Sequence, residues 1–79
     1  MYLVINYHTN SDSEQFINNV VACGDDYDIA RRYMKEYALE SLREYEDAGI
    51  FESIVERNNS ITLKAKYDTD YFEVYFIDR

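Results

Sequence analysis

The sequence predicts an α+β fold, in which an antiparallel sheet of three to five strands packs on one main helix. Three observations lead to this fold class. Residues 26–47 repeat apolar side chains at spacings of three and four, the period of an amphipathic helix. The segments on either side of that helix alternate apolar and polar residues or concentrate β-branched and aromatic ones, as strands do. Because these strands flank the helix and do not alternate with helices, the order favours α+β over a parallel α/β sheet.

Length and composition fit a single small domain over residues 1–79. Hydrophobic residues make up 47% of the chain and aromatic residues 16%, which is enough material for a core. The lone Cys23 excludes an internal disulfide and a cysteine-based metal site, as expected in a reducing compartment. The first residues lack a signal-peptide pattern, and no stretch approaches the roughly 20 apolar residues of a membrane span. We therefore expect a cytoplasmic protein.

The first predicted element is a strand at residues 2–8, which is apolar on both faces and is therefore expected inside the sheet. Residues 9–14 form a polar turn. Residues 15–23 fit two interpretations. Ser11 and Glu14 could form a capping box that starts a helix. The two adjacent valines and two adjacent asparagines in 15–23 favour instead a second strand, antiparallel to the first.

The main helix is the most regular element of the sequence. Asp25 is its predicted N-cap, because carboxylates at this position accept the free backbone N–H groups of the first turn. Gly49 is its predicted stop. One apolar stripe is expected to cover the sheet; it consists of Ala30, Tyr33, Met34, Tyr37, Ala38, Leu42 and Tyr45.

Residues 50–57 fit either a short second helix or a strand that enters a tight turn, and the apolar pairs at 50/51 and 54/55 slightly favour the helix. Residues 61–67 alternate as a strand with one wet face. Residues 68–70 are a predicted three-residue turn, and 71–78 are the returning strand of this hairpin. On that last strand, Phe72, Val74 and Phe76 are predicted on one face, and Tyr71, Tyr75 and Ile77 on the other.

The residue inventory gives no catalytic, cofactor-binding or metal site, so we expect a protein that is not an enzyme. His8 is the only histidine, and we interpret it as a surface or capping residue. Cys23 is expected to be a small buried hydrophobe. Asp68, Asp70 and Glu73 are too few for a calcium loop, so the aspartates are interpreted as turn residues. With two glycines in the chain, no phosphate-cradling loop is present.

Charge provides the main functional observation. Sixteen acidic residues against eight basic ones give a net charge of −8, which repels nucleic acids and anionic lipids. Glu36, Glu40 and Glu44 are spaced by four, so like charges stack about 6 Å apart along one helix face. Asp47 adds a further acid at the negative end of the helix dipole. These four residues, the acidic helix face, lower local stability, which favours a role in binding a basic protein surface; the alternative is a solvated face.

Tyrosine is the second functional observation. The chain has nine tyrosines, and one helix can cover only one face of a sheet. Tyr71 and Tyr75 are therefore predicted to contact a partner, because a tyrosine ring buries area while its hydroxyl stays hydrogen-bonded. Self-association is the simplest form of such a contact.

In size, charge and lack of catalytic residues, the chain resembles the small acidic inhibitors that phages direct against host defences, including anti-CRISPR and antirestriction DNA mimics. The resemblance rests on the charge balance and on the spacing of Glu36, Glu40 and Glu44. It implies a non-enzymatic, phage-encoded inhibitor that acts in the host cytoplasm. Its acidic helix face would occlude a basic nucleic-acid-binding site on a defence nuclease, with Tyr71 and Tyr75 as anchors. The alternative is a small homodimeric structural or regulatory protein with no nucleic-acid machinery as its target.

Overall fold

The structure, a computed structural model that describes residues 1–13 and 15–78, confirms the predicted α+β class. One helix packs on one face of a five-stranded antiparallel sheet with the strand order β2-β1-β5-β4-β3. The first and last strands therefore lie side by side in the interior of the sheet, and the helix connects its two edge strands. The elements are β1 (Tyr2–Asn10), β2 (Gln15–Gly24), α1 (Tyr27–Asp47), β3 (Phe51–Glu56), β4 (Ser60–Ala65) and β5 (Asp68–Phe76).

The first hairpin confirms the strand interpretation of residues 15–23. β2 pairs antiparallel with β1, and β1 has a neighbour on each side, as its two apolar faces predicted. The register shifts where Val4 faces Ala22 but Ile5 faces Val20, so that one residue of β2 bulges out of the ladder. The turn covers residues 11–13; Glu14 of the predicted turn and capping box lies outside the described residues.

The helix begins one residue later than predicted, because Asp26 and not Asp25 is its N-cap. The backbone of Asp26 is extended, and its carboxylate accepts a hydrogen bond from the backbone N–H of Asp28 at 2.7 Å. The helix ends at the predicted place. Gly49, with φ +72°, and Ile50 donate their N–H groups to carbonyl oxygens of the last turn, which is a Schellman motif.

The core lies between α1 and the sheet. The helix buries Ala30, Met34, Ala38 and Tyr45, at the spacings of the predicted stripe. Tyr33 and Tyr37, which the sequence assigned to the same stripe, are exposed on its margin; these two assignments were wrong. The sheet contributes the remaining buried hydrophobic residues, namely Val4, Ile61, Leu63, Ala65, Phe72 and Val74.

The predicted short second helix at residues 50–57 is wrong, since residues 51–56 form the edge strand β3. Its backbone pairs with β4, in a register that places Ile54 opposite Leu63. This pairing satisfies the backbone groups along one side of the segment. Every residue of β3 after Phe51 is exposed, so the apolar pairs that favoured a helix do not mark a buried helical stripe.

The predicted turn at residues 68–70 is also wrong. Lys66 and Tyr67 form the bend of this hairpin, and β5 already begins at Asp68. Asp68 and Asp70 are tolerated in the strand because they face polar residues of β1: Asp68 lies opposite Asn10, and Asp70 opposite His8.

Candidate functional site

The acidic helix face is exposed along its whole length. The side chains of Glu36, Glu40, Glu44 and Asp47 all lie in solvent, directed away from the buried stripe of α1. Among the described residues, the one lysine–carboxylate ion pair joins Lys35 to Glu56 at 3.8 Å, and no ion pair includes any of these four acids. These four acids thus form no ion pair in the described chain, although Arg32 and Arg43 lie one helical turn from Glu36 and Asp47. The uncompensated part of this charge favours a basic partner.

A shallow groove of about 470 Å³ borders this face, between α1 and the edge strand β2. Its lining residues are Ala22, Cys23, Tyr33, Glu36, Tyr37 and Glu40. The two tyrosines alternate with the two glutamates, so carboxylates and aromatic rings meet at one place. This pairing was not predicted from the sequence, although Tyr33 and Tyr37 repeat at the same spacing of four as the acids.

Cys23 is exposed at the same edge of the sheet, so its expected burial was wrong. It lies near the end of β2, opposite Leu3, and β2 is an edge strand with one neighbour. Burial was expected from the apolar residues that precede Cys23, but in the described chain no further strand pairs with β2 at this edge.

The second surface is the face of the sheet opposite the helix. Side chains alternate along a strand, so the neighbours of buried Val4, Leu63 and Phe72 point to this opposite face. We call it the open sheet face; its members include Leu3, Ile5, Tyr7, Thr9, Phe16, Asn18, Val20, Ser53, Val55, Ser60, Thr62, Lys64, Thr69, Tyr71, Glu73 and Tyr75.

The open sheet face is rich in apolar and aromatic side chains along β1, β2 and β5, whereas its β3–β4 part is mainly polar. Phe16 is 62% exposed, Val20 58% and Tyr75 50%. The rings of Tyr7 and Tyr71 lie 5.8 Å apart, and those of Tyr7 and Phe16 6.4 Å apart, so aromatic side chains run across three adjacent strands. Burial in this row raises the pKa of the Tyr71 phenol, with the neighbouring Glu73 carboxylate acting in the same direction. An exposed apolar surface of this kind is typical of a protein interface.

The structure therefore divides the predicted partner-binding residues between two surfaces. The four acids lie on the outer side of α1, whereas Tyr71 and Tyr75 lie on the open sheet face, with the sheet between the two groups. Tyr33 and Tyr37, and not the tyrosines of β5, are the aromatic neighbours of the acids.

His8 belongs to a polar cluster under the C-terminal end of α1, which explains why a histidine lies in the sheet at this position. Its Nδ1 lies 2.8 Å from Asp70, and its Nε2 lies 3.3 Å from Asp68. Asn10 donates a hydrogen bond of 2.7 Å to Asp68, and Tyr45 donates one to Asp70. Both ring nitrogens of His8 face carboxylates of the same sheet, which leaves neither of them directed at a substrate. The cluster holds β1, β5 and α1 together at this end.

Two further properties bear on the kind of site. Within the described part of the chain, no group of three or more His, Cys, Asp or Glu side chains is arranged to hold a metal ion. The helix described here is not long and apolar enough to cross a membrane. The described chain presents two contrasting surfaces: one is acidic and bordered by tyrosine, and the other is nearly uncharged. No protein-family model, curated protein or solved structure matches this chain.

Proposed function

We propose that the protein is a non-enzymatic inhibitor whose acidic helix face occupies the basic nucleic-acid-binding site of another protein. The observation that carries the proposal is the exposed row of Glu36, Glu40, Glu44 and Asp47, none of which forms an ion pair within the described chain. A helix held rigidly on a sheet presents these charges in fixed positions. Such an arrangement favours the Lys- and Arg-rich surfaces that normally bind phosphates.

The groove beside this face supplies the contacts that charge alone does not. Long-range attraction accelerates the encounter with a basic surface but is screened by salt. Tyr33 and Tyr37 can then stack on arginine side chains that pair with Glu36 or Glu40, because guanidinium groups bind both carboxylates and aromatic rings. The expected mechanism is occlusion: the nucleic acid and this protein compete for the same cations. We place the protein among phage-encoded inhibitors of anti-CRISPR or antirestriction type, acting in the host cytoplasm on a defence nuclease.

Affinity capture from a host lysate, followed by competition with nucleic acid, tests this function. The captured partner should be a nucleic-acid-binding protein or nuclease complex, and added DNA or RNA should release it. The variant Glu40→Lys/Glu44→Lys should bind that partner at least tenfold more weakly at low salt, mainly through slower association.

The matched control is Asp12→Lys/Asp78→Lys, which changes the net charge equally at exposed positions outside α1. If both double variants weaken binding to the same extent, total charge and not the acidic helix face is responsible. Unchanged affinity of Glu40→Lys/Glu44→Lys at low salt contradicts the proposal, as does a partner that nucleic acid does not displace.

A further inference from the structure

We propose that the open sheet face is a two-fold interface with a second copy of this chain. Antiparallel sheets with one face in water normally carry polar residues on that face. Here it carries Leu3, Ile5, Val20 and an aromatic row, while α1 covers only the other side. No described segment of the chain packs over this surface. A flat partner surface with apolar side chains would therefore cover the open sheet face.

The charges of this face indicate which partner fits. The chain carries a net charge of −8, yet the assigned side chains of the face include one acid, Glu73, and one base, Lys64. Neither takes part in an ion pair within the described chain. A basic partner is attracted to the acidic helix face and gains little here. A second copy offers the same nearly neutral surface in return, and its apolar β1, β2 and β5 would lie over the same strands of the first copy.

The positions of the two charges are complementary under two-fold symmetry. Glu73 on β5 lies opposite Ser60 of β4. Lys64 is four residues after Ser60 on β4 and lies opposite Thr69 of β5. We place a two-fold axis in the plane of the interface, perpendicular to the strands and level with the Thr62–Tyr71 pair. Rotation about this axis puts each strand over its own copy in the opposite direction. Glu73 of one copy then comes level with Lys64 of the other, on neighbouring strands. The symmetry forms this contact twice, as in an isologous dimer.

The size of the face fits a weak, reversible dimer. Under this axis the overlap of each strand with its copy ranges from about 10 Å for β3 to about 24 Å for β1, β2 and β5. With strands about 4.8 Å apart, this gives roughly 470 Å² per copy and about 950 Å² in total. Sheets packed face to face keep their strands aligned to within about 30°, which this axis permits. The two acidic helix faces end up on the outer sides of the dimer. They are then further apart than the about 10 Å between stacked sheets, beyond the screening length of about 8 Å in physiological salt.

Sedimentation equilibrium over a range of protein concentrations tests the interface. The unmodified protein should form a dimer with a midpoint between about 10 μM and about 1 mM. The single variants Lys64→Glu and Glu73→Lys place like charges at both contacts, and each should weaken the dimer at least tenfold. The double variant Lys64→Glu/Glu73→Lys restores opposite charges and should return the dissociation constant to within about threefold of the original. Tyr75→Ser, at an exposed position, should also weaken the dimer.

Two controls distinguish this interface from general charge effects and from misfolding. Glu40→Lys makes the same chemical change as Glu73→Lys on the acidic helix face and should leave the dimer unchanged. Circular dichroism and urea unfolding of each monomeric variant check that the fold is kept. The proposal is wrong if the protein stays monomeric up to about millimolar concentration, if the double variant dimerises no better than the single ones, or if cross-links from the open sheet face lead to a different protein. Each of these outcomes leaves the role of the acidic helix face to be judged by its own competition experiment.

Discussion

The hydroxyl of Tyr45, near the C-terminal end of α1, donates a hydrogen bond to the buried carboxylate of Asp70 in β5. Asp70 also accepts a hydrogen bond from Asn6 at 3.2 Å and contacts His8. The last turns of the helix are thus attached to the interior of the sheet by a polar contact inside a mainly apolar core. Such contacts fix the position of an element, because a displaced helix would leave a buried carboxylate without one of its donors.

Replacement of Tyr45 by Phe should lower the free energy of unfolding by about 1–3 kcal/mol. The ring keeps its packing, but Asp70 loses a donor in a buried environment. Urea denaturation followed by circular dichroism measures the change. Tyr37→Phe removes the same hydroxyl from an exposed position of the same helix and should alter stability by less than about 0.5 kcal/mol. Equal effects of the two substitutions would show that the Tyr45–Asp70 contact contributes nothing specific.

Alkaline pH should weaken the fold through the same residue. Burial, reinforced by the Asp70 carboxylate, raises the pKa of the Tyr45 phenol far above its ordinary value. The unfolded chain releases this proton above about pH 10 while the folded protein retains it, so stability is full below that pH and falls as the pH rises. Between pH 9 and pH 11 this contribution amounts to a loss of about 1.4 kcal/mol.

Urea midpoints at the two pH values, compared between the unmodified protein and Tyr45→Phe, isolate this effect. The variant should lose about 1.4 kcal/mol less, since it has no proton to retain at this position. Tyr71, whose pKa is also raised by burial, acts equally in both proteins and cancels in the comparison. Parallel pH dependence in the two proteins would contradict the prediction.

Met34 lies at the centre of the contact between α1 and the sheet and is fully buried. Its replacement by Ala should lower the free energy of unfolding by about 2–5 kcal/mol, because it removes packed atoms and leaves a cavity. For a chain this small, a loss at the upper end of that range unfolds a large fraction of the protein. Leu39→Ala, at an exposed position of the same helix, should cost less than about 0.5 kcal/mol in thermal or urea unfolding.

Gly49 provides a test of backbone conformation without side-chain packing. Its φ of +72° is disfavoured for residues with a Cβ, yet a Cβ added there would meet no atom within 4 Å. Gly49→Ala should therefore destabilise the protein by about 1 kcal/mol through strain alone. Gly49→Asn should cost less, since asparagine tolerates this conformation better. If alanine and asparagine are equally tolerated in thermal unfolding, the Schellman motif is not limiting.

The sequence predicted those elements whose own residues carry a strong pattern. The helical repeat around Met34 and the pattern of β1 were sufficient, because burial in a regular element leaves a period in the sequence. For residues 15–23, the β-branched residues favoured the correct one of two interpretations. The N-cap differed by one residue, since adjacent aspartates at 25 and 26 offer the same chemistry. The sequence also predicted that one face of the sheet is uncovered, because one helix covers only one side of a sheet.

The features that were missed depend on residues far apart in the chain. β3 exists through its pairing with β4, and its exposed residues carry no core pattern. Asp68 and Asp70 look like turn residues until His8, about 60 positions earlier, is brought beside them. The position of Tyr33 and Glu36 beside Cys23 required knowledge of which side of α1 borders β2. Local spacing contains none of this information.

The strand that comes last along the chain, β5, is the middle strand of the sheet. A chain cut before Asp68 would therefore lose the central strand of the sheet and keep both edge strands. It would keep a β1–β2 hairpin and a β3–β4 hairpin with no shared neighbour, and isolated hairpins are marginal in water. During synthesis, the nine β1–β5 residue pairs cannot form until residues 68–76 emerge, after all the other strands. Before β5 emerges, the nascent chain contains α1 and two hairpins that are not paired with each other. The addition of β5 then joins the two hairpins into one sheet.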